Sequence, residues 1–423
     1  MSKPVHQLRL DHDCKADSFG RLFFHPRTAA LTDLSDVKLL RCAVDTVRQL
    51  YRGRIRAEVF ELFENSGFVS FADHIWHAGR IGRDSGYQYR LQNADLGIIL
   101  LIKNYNVKEV DTGPHLKIEV SPHTIESHRP ESLQKLLDGL ANAVLADAEP
   151  NQCAVHIALD VQGWKPPQDT VQRMQCRSRR VRDISGIDSI EWSRSASVYG
   201  LGETYMFGAP NGVQLAIYNK SKQAKVIDKL DFWESLWNQA YADFDTPLYD
   251  DGQDVWRIEL RYHHTIIQQF AEGSANTKTG EIIGTKTFLE LTPHLDGLWQ
   301  YGFEAFKLLK DSQTFDAAWT LFANDAHVET GYDSLLDETE YKRYYKTAAG
   351  FTGKNVELFM GNFVSLLARE KVGAQKAFDR LKEWECWEVI RDHFAEKGKT
   401  ERDIYKWISE KLRERVVRWG KAV

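Results

Sequence analysis

Residues 202–220, GETYMFGAPNGVQLAIYNK, are the stretch that predicts the fold most directly, because they have the pattern of a β-hairpin. The first arm, residues 203–208, is rich in Thr, Tyr and Phe, and residues 209–212 (APNG) are typical of a turn. Side chains on a strand change face at every residue, so Tyr218 and Lys220 share the polar face of the second arm, roughly 7 Å apart. The hairpin can therefore present a nucleophile beside a cation.

The composition is that of a soluble globular protein. Of the 423 residues, 43% are hydrophobic and 27% are charged, which predicts two or three domains with a sizeable core. No apolar run approaches the roughly 20 residues that span a membrane, and the start, MSKPVHQLRLDHD, lacks the apolar segment of a signal peptide. The five cysteines are odd in number and never spaced as CxxC. We therefore expect a cytoplasmic protein with no membrane partner and no structural zinc.

Three segments follow one another along the chain. Residues 1–80 are predicted to be a helical N-terminal segment, because apolar residues between 39 and 50 follow helical spacing. Residues 81–270 change to a period of two, which predicts a sheet domain, and residues 271–423 are again helical. The predicted fold class is therefore α+β. Strands are predicted at 87–91, 97–103, 115–120, 153–161 and 255–262, and helices of the last segment include 298–309 and 401–419.

One local patch is strongly basic, although the whole chain has a net charge of −5. Residues 173–182, RMQCRSRRVR, suit phosphate contacts. The pattern fits a solvated loop as well, so both interpretations stay open. The basic terminal helix poses the same choice, because such a helix can enter a DNA groove or only face solvent. The arginines of the patch are Arg173, Arg177, Arg179, Arg180 and Arg182.

Three predicted strands each carry one carboxylate on the polar face. These carboxylates are Glu119, Asp160 and Glu259, and the strand of Asp160 also presents His156 there. If the polar faces align in one sheet, the carboxylates converge, and oxygen ligands of that kind suit Mg²⁺ or Mn²⁺. His156 as a nitrogen ligand would favour Mn²⁺. Taken singly, each carboxylate is also typical of an exposed strand residue.

The candidate tyrosine needs such neighbours to react with a phosphodiester. A free tyrosine titrates at about 10, so positive charge, a metal or a base must lower its pKa or accept its proton. A divalent ion polarises the scissile phosphate. Arginines that share the face of Glu259, namely Arg257 and Arg261, can hold flanking phosphates by bidentate contacts. The pattern favours Tyr218 as the nucleophile of a phosphodiester site, with Lys220 as its neighbouring cation.

Six short motifs occur in order: SGYQYRL at 85–91, KIEVS at 117–121, HIALD at 156–160, ETYMFG at 203–208, IYNK at 217–220 and RIELR at 257–261. In this order they resemble the Rep_trans family of rolling-circle replication initiators of plasmids, which has relatives in filamentous phages. The resemblance implies a DNA nicking-closing endonuclease and strand transferase. Tyr218 would form the covalent link to the 5′ phosphate, and the three strand carboxylates would bind the metal.

The same resemblance implies an architecture and a set of partners. Residues 81–270 would be the catalytic replication-initiator domain, an antiparallel-sheet nickase core on the plan of HUH endonucleases, with carboxylates in place of the His-x-His pair. The resemblance does not extend to residues 271–423, a helical region for which DNA binding through its basic terminal helix is one of the two interpretations given above. The implied partner is origin DNA, single-stranded or as a hairpin. A host helicase or polymerase and a second copy of the chain, as a homodimer, are further candidates.

The resemblance has one departure and leaves alternatives. Gln223 stands where the family commonly has an acidic residue after the YxK motif. Rival nucleophiles are Tyr205, which fits hairpin packing, and the cluster of Tyr341, Tyr344 and Tyr345, which has the spacing of a helix face. The alternative functions are a non-catalytic, sequence-specific DNA-binding regulator and a relaxase of a mobile element.

Overall fold

The fold divides into two compact units, Met1–Tyr344 and Tyr345–Val423. The first unit is built on a large antiparallel sheet with helices, so the predicted α+β class is confirmed. The computed structural model describes residues 9–10, 22–25, 30–64, 67–82, 86–176, 196–199, 204–241, 247–311, 314–344, 353–396 and 398–420.

The described strands are β1 (Arg9–Leu10), β2 (Leu22–His25), β3 (Ala30–Asp33), β4 (Lys38–Ile55), β5 (Gly67–Phe71), β6 (His74–Arg80), β7 (Tyr87–Asn93), β8 (Ile98–Asn104), β9 (Gly113–Val120), β10 (Leu145–Gln162), β11 (Met174–Cys176), β12 (Ala196–Tyr199), β13 (Thr204–Gly208), β14 (Val213–Asn219), β15 (Trp256–Tyr262), β16 (Ala275–Asn276), β17 (Phe306–Asp311), β18 (Thr314–Phe315) and β19 (Thr339–Glu340). The described α-helices are α1 (Glu58–Glu61), α2 (Pro122–Glu126), α3 (Pro130–Val144), α4 (Thr170–Arg173), α5 (Lys220–Val226), α6 (Leu230–Trp237), α7 (His264–Gly273), α8 (Phe288–Leu291), α9 (Leu295–Ala305), α10 (Ala317–Asp325), α11 (Gly353–Arg369), α12 (Ala374–Lys382), α13 (Trp387–Glu396) and α14 (Glu401–Gly420).

Eleven strands form the main sheet, in the spatial order β12-β13-β14-β15-β10-β4-β9-β8-β7-β6-β5. Neighbouring strands in it pair antiparallel. At its centre lie β4 and β10, two strands of 18 residues that pair along most of their length. The hairpin predicted from residues 202–220 is confirmed as β13 and β14, and the other predicted strands correspond to β7, β8, β9, β10 and β15.

The predicted helical N-terminal segment is wrong. Residues 38–55 form β4, and the described part of residues 1–80 contains only the short helix α1. β4 pairs with β10 along one edge and with β9 along the other, so the ladder bonds of both neighbours hold it extended. Its β-branched residues Val44, Thr46 and Val47 also favour a strand. This tertiary pairing outweighs the helical spacing of the apolar residues, which is a weak signal over so short a stretch.

The two faces of the sheet differ in character. On one face, apolar strand residues such as Ile157 and Ile258 are fully buried in the main core, which includes residues of α3 and α7. The other face is polar along β10, β15 and β14. Helix α6 covers part of this polar face, because the Trp237 indole donates a hydrogen bond to Asp160 on β10. The side chains of the candidate functional site lie on this polar face, beside α6.

Two element boundaries differ from the prediction. The second hairpin arm ends at Asn219, and Lys220 begins α5, because the Asn219 side chain accepts a hydrogen bond from the Lys222 amide and caps the helix. The helix predicted at 298–309 ends as α9 at Ala305. The chain then continues as β17, which pairs with β11.

The unit Tyr345–Val423 is helical where it is described. Helices α11 to α14 surround an apolar core of their own. At the start of α14, Thr400 donates its amide and its hydroxyl to Asp403, at 2.9 and 2.7 Å, a helix cap of the kind the sequence favours. The predicted boundary after residue 270 is wrong, because Trp299 and Phe303 of α9 belong to the core of the sheet. Among the residues described, no helix has the length and apolar character needed to cross a membrane.

Candidate functional site

The register of three neighbouring strands arranges polar side chains in rows on one face of the sheet. The central row contains Glu259 between two alanines, whose small side chains leave space around the carboxylate. Residues of the two flanking rows can therefore reach this carboxylate from both sides. From β14 through β15 to β10, the rows are Tyr218–Arg257–Asp160, Ala216–Glu259–Ala158 and Gln214–Arg261–His156.

Tyr218 is half-buried, and its hydroxyl donates a hydrogen bond to Glu259 Oε2 at 2.9 Å. Burial raises the pKa of Tyr218 well above 10, and the negative charge of Glu259 raises it further, whereas Arg257 acts in the opposite direction. In this arrangement the tyrosine is a neutral donor to a carboxylate. The pair has the geometry of a nucleophile beside a proton acceptor.

The Glu259 carboxylate, only 3% exposed, gathers three partners. Besides Tyr218, Arg261 Nε donates to Oε1 at 2.8 Å, and His156 Nδ1 lies 3.0 Å from the same oxygen. Burial by itself would raise the pKa of Glu259, but the hydrogen bond with His156 and the charge of Arg261 outweigh it, so the pKa lies well below 4.5. Glu259 is therefore an ionised carboxylate at neutral pH and accepts the hydrogen bond from Tyr218.

Arg257 is not free to contact a phosphate, which corrects the prediction for this residue. Its side chain is 2% exposed, and Nε and Nη2 donate to the two carboxylate oxygens of Asp160 at 2.6 and 2.7 Å. Nη1 bonds to Asp45 on β4, and the Trp237 indole donates to Asp160 at 2.8 Å. The Arg257–Asp160 pair is thus satisfied within the protein and ties β15 to β10 beneath Tyr218.

Lys220 lies close to Tyr218, as expected, with its Nζ 5.8 Å from the centre of the tyrosine ring. The ammonium is buried. It donates to Gln223 at 3.0 Å and lies 4.1 Å from the ring centre of Trp233 on α6. Burial lowers the pKa of Lys220 to about 8, and the positive charge of Arg257 adds to that shift. Gln223 stands where the Rep_trans family commonly has an acidic residue. Its side chain accepts the hydrogen bond from the Lys220 ammonium.

Trp233 is a site residue that was not predicted. Arg257 Cζ also lies 4.1 Å from the centre of its ring, so one indole contacts both Lys220 and Arg257. Trp233 and Trp237 are four residues apart on α6 and therefore lie on one face of the helix. This i, i+4 pair of tryptophans is the sequence signal that could have indicated that α6 packs over Lys220 and Arg257.

Three potential metal ligands come together beside Tyr218. Asp45, His156 and Glu259 each offer one ligand atom, and these atoms lie within 4.8 Å of one another. Two carboxylates and an imidazole are a donor set that suits Mn²⁺ and tolerates Mg²⁺, so these residues fit a divalent ion. Asp45 was not predicted, because its strand, β4, was expected to be a helix. Its signal is a carboxylate within a β-branched run, Val44 to Val47.

The predicted ligands Glu119, Asp160 and Glu259 are not brought together, which is a correction. Asp160 is engaged by Arg257 on the adjacent strand. Glu119 lies on β9, separated from β10 by β4, and pairs with Lys117 at 2.9 Å and with Arg48 at 3.2 Å. Burial alone would raise the pKa of Glu119, but these two cations lower it. Of the predicted carboxylates, only Glu259 joins the potential metal group.

Of the predicted arginines in the basic stretch, Arg173 is the one that the structure describes. Arg173 ends α4, pairs with Asp316 at 3.0 Å and donates to the Leu309 carbonyl, so it joins α4 to β17 rather than facing a ligand. Arg261, in contrast, is 31% exposed and keeps part of its guanidinium at the surface. The other predicted arginines, Arg177, Arg179, Arg180 and Arg182, lie outside the described residues.

Two rival tyrosines are packing residues. Tyr205 is 5% exposed in the main core, as hairpin packing predicts. The Tyr341 ring stacks on Phe270, and its hydroxyl lies 3.0 Å from His294 Nδ1. Residues 341–344 are not helical, contrary to their spacing, and Tyr344 is exposed. Tyr345 lies outside the described residues.

Comparison with known proteins gives one informative similarity. No family model matches the chain. The chain is 54% identical over 432 residues, covering 100% of both sequences, to the protein described as "Uncharacterized protein ORF430" of Pseudomonas phage Pf1. Among solved structures it is similar to "Methanococcus jannaschii TBP", with a TM-score of 0.22 and 11% identity over 46% of this chain and 98% of that one. A likeness that weak carries no argument, whereas the similarity to the phage protein extends over the full length.

Proposed function

The chain belongs to the family of ORF430 of Pseudomonas phage Pf1, and on that premise we propose that it is a rolling-circle replication initiator. It would nick one strand of origin DNA, hold the 5′ phosphate as a phosphotyrosine and later transfer that strand to a 3′ hydroxyl. One observation carries the proposal: the Tyr218 hydroxyl lies 2.9 Å from the ionised Glu259 carboxylate on a polar sheet face that also presents Arg261.

The bonds of the nicking step can be assigned to these groups. Tyr218 Oη attacks the scissile phosphorus and passes its proton to Glu259 Oε2. The Oη–P bond forms as the P–O3′ bond breaks, and the leaving 3′ oxygen takes a proton from water. Glu259 then returns its proton to solvent, so no proton is gained or lost overall. Resealing is the reverse reaction, with a 3′ hydroxyl as the nucleophile.

Positive charge around the tyrosine supports the same step. Arg261 donates to Glu259 and reaches the surface, where a phosphate can approach it. Lys220 adds a buried positive charge near the tyrosine ring. Arg257 acts as a positioning residue, because its pairs with Asp160 and Asp45 hold β4, β10 and β15 in register.

Asp45, His156 and Glu259 are the residues that would hold Mn²⁺ or Mg²⁺. When bound, such an ion supplies a Lewis acid that polarises the scissile phosphate and stabilises its developing charge. We also propose that the sheet follows the plan of an HUH nickase, with this group in place of the His-x-His pair. Origin DNA, single-stranded or as a hairpin, is the proposed partner.

Covalent capture tests the proposal. Oligonucleotides tiled along both strands of the DNA beside the gene are incubated with the full chain and Mn²⁺, and adducts are resolved on a denaturing gel. We expect one oligonucleotide to form an adduct that Tyr218→Phe abolishes while DNA binding is kept. The matched control is Tyr344→Phe, which removes the hydroxyl of an exposed rival and should leave the adduct intact.

The other outcomes discriminate the alternatives. An adduct that persists in Tyr218→Phe refutes the assignment of the nucleophile. Tight and selective DNA binding without any adduct would identify a non-catalytic regulator. An adduct that forms only with DNA from a transfer origin elsewhere in the element would identify a relaxase.

A further inference from the structure

A pocket of about 500 Å³ opens on the polar face of the sheet, next to side chains that contact Glu259. Its walls come from β4, β7, β8, β9, β10, β14, β15 and the start of α7, together with the turn between β13 and β14. His156 and Arg261 line the pocket, and both contact Glu259. Glu259 in turn accepts a hydrogen bond from the Tyr218 hydroxyl. One carboxylate therefore separates the pocket from the candidate nucleophile. The volume lies within the range of small-ligand sites, roughly 300–1,000 Å³.

The lining has the chemistry of an anion site. Arg48, Lys117 and Arg261 bring three cationic side chains to it, and none of the described residues that line it is Asp or Glu. Carboxylates outside the lining pair with these cations: Glu119 pairs with Arg48 and Lys117, and Glu259 pairs with Arg261. These pairs hold the cationic groups in place at the pocket.

The lining also offers an aromatic surface and amide groups. The rings of His263 and His264 lie with their centres 4.0 Å apart. Burial lowers the pKa of His264 to about 4, and the charges of His263 and Lys117 add to that shift, so its imidazole is neutral at pH 7. Burial also lowers the pKa of His263. Amide side chains that can hydrogen-bond a base edge include Asn106, Asn151 and Gln214.

We propose that this pocket binds one unpaired nucleotide of the DNA strand adjacent to the scissile phosphate, with its phosphate on Lys117 and Arg261 and its base against His264. Neutral aromatic rings stack on bases, and cations contact the backbone, so the lining offers a partner for the base and for the phosphate of a nucleotide. The assignment rests on the proposed function, because the position of the pocket next to side chains that contact Glu259 is what selects a nucleotide of the cleaved strand.

Abasic scanning tests the inference without requiring catalysis. The tightest-binding single-stranded oligonucleotide of the tiled set is made with one abasic nucleotide at each position in turn, and its affinity for the full chain is measured by fluorescence anisotropy. We expect one position at which loss of the base weakens binding by about tenfold, which corresponds to the loss of one stacked base. In His264→Ala this penalty should disappear at that position alone. His77→Ala, an exposed histidine on β6, is the matched control and should keep it.

The salt dependence of DNA binding tests the proposed phosphate contacts of the pocket separately. For single-stranded DNA, each phosphate contact contributes about 0.7 to the slope of log affinity against log salt. Lys117→Gln should lower the slope by that amount, and Lys135→Gln on the exposed side of α3 should leave it unchanged. An unchanged slope in Lys117→Gln, a penalty that survives in His264→Ala, or the absence of any position with a penalty would each overturn the inference.

Failure of the inference is distinguishable from failure of the proposed function. If abasic scanning shows the pocket effect but Tyr218 forms no adduct, the nickase proposal fails and the nucleotide pocket stands. If Tyr218 forms the adduct and His264→Ala leaves the scan unchanged, the nickase stands and the pocket assignment is overturned.

Discussion

Replacing Asp160 by asparagine would remove the charge that Arg257 needs. The two side chains are each 2% exposed and are joined by two hydrogen bonds of 2.6 and 2.7 Å. In Asp160→Asn the guanidinium stays buried, with Asp45 as its remaining carboxylate partner. The variant therefore tests whether Asp160 is a structural counter-charge or a metal ligand.

The structure sets the expected magnitude. Removing one partner of a buried ion pair costs about 3–5 kcal/mol, because an uncompensated charge is left in the interior. Asparagine keeps one acceptor for Arg257, so we expect the lower end, about 3 kcal/mol. Asp169→Asn is the matched control: Asp169 is 62% exposed and lies 3.5 Å from Arg173. A pair so exposed contributes less than about 1 kcal/mol.

Two measurements decide the outcome. Urea unfolding followed by circular dichroism gives the change in unfolding free energy, and calorimetric titration gives the affinity for Mn²⁺. We expect Asp160→Asn to lose about 3 kcal/mol of stability and to keep its Mn²⁺ affinity under conditions where it remains folded. A loss below about 1 kcal/mol together with weakened Mn²⁺ binding would show that Asp160 is a ligand and that the structural reasoning is wrong.

Three further predictions follow from the same site. Glu259→Gln should reduce adduct formation by at least about 100-fold by removing the proton acceptor, with circular dichroism to check folding; full activity would exclude Glu259 as the base. Asp45→Asn should weaken Mn²⁺ binding in calorimetry by more than about tenfold, whereas Glu119→Gln should not; the reverse order would restore the ligand set expected from the sequence. Because burial lowers the pKa of Lys220 from 10.5 to about 8, the unfolded state binds more protons between these values, so stability should rise with pH in that window. The rise, measured by urea unfolding, should be smaller in Lys220→Met, and an equal rise in both proteins would contradict the shift.

Local alternation was enough to predict the hairpin and which residues share its polar face. The strand period places Tyr218, Arg257, Glu259 and Arg261 on one side, and the structure brings them there. Alternation does not tell which partner a side chain on that face will choose. The sequence predicted that Arg257 contacts a phosphate. On the neighbouring strand, however, Asp160 lies in register with Arg257 and forms an ion pair with it.

The main error of the sequence-based prediction was the central strand β4, which was expected to be a helix. Because of that error, the site residue Asp45 was not predicted. The apolar residues of β4 have helical spacing, and the segment is a strand because β9 and β10 pair with its two edges. Asp45 therefore could not be placed near Glu259 from local pattern alone. Trp233 was missed for a related reason, since its contacts with Lys220 and Arg257 join α6 to residues of other elements.

The long-range pairing of β10 with β4 and with β15 also determines when the site can form. Arg257 and Asp45 are 212 positions apart in the chain, and Arg257 and Asp160 are 97 apart. During synthesis, the ribosome must therefore finish β15 before any of these pairs can form, and contacts of such high sequence separation form late in folding. A nascent or partly folded chain would carry Tyr218 without its carboxylates. For a protein proposed to cut DNA, this order of assembly would confine the reactive state to the completed fold.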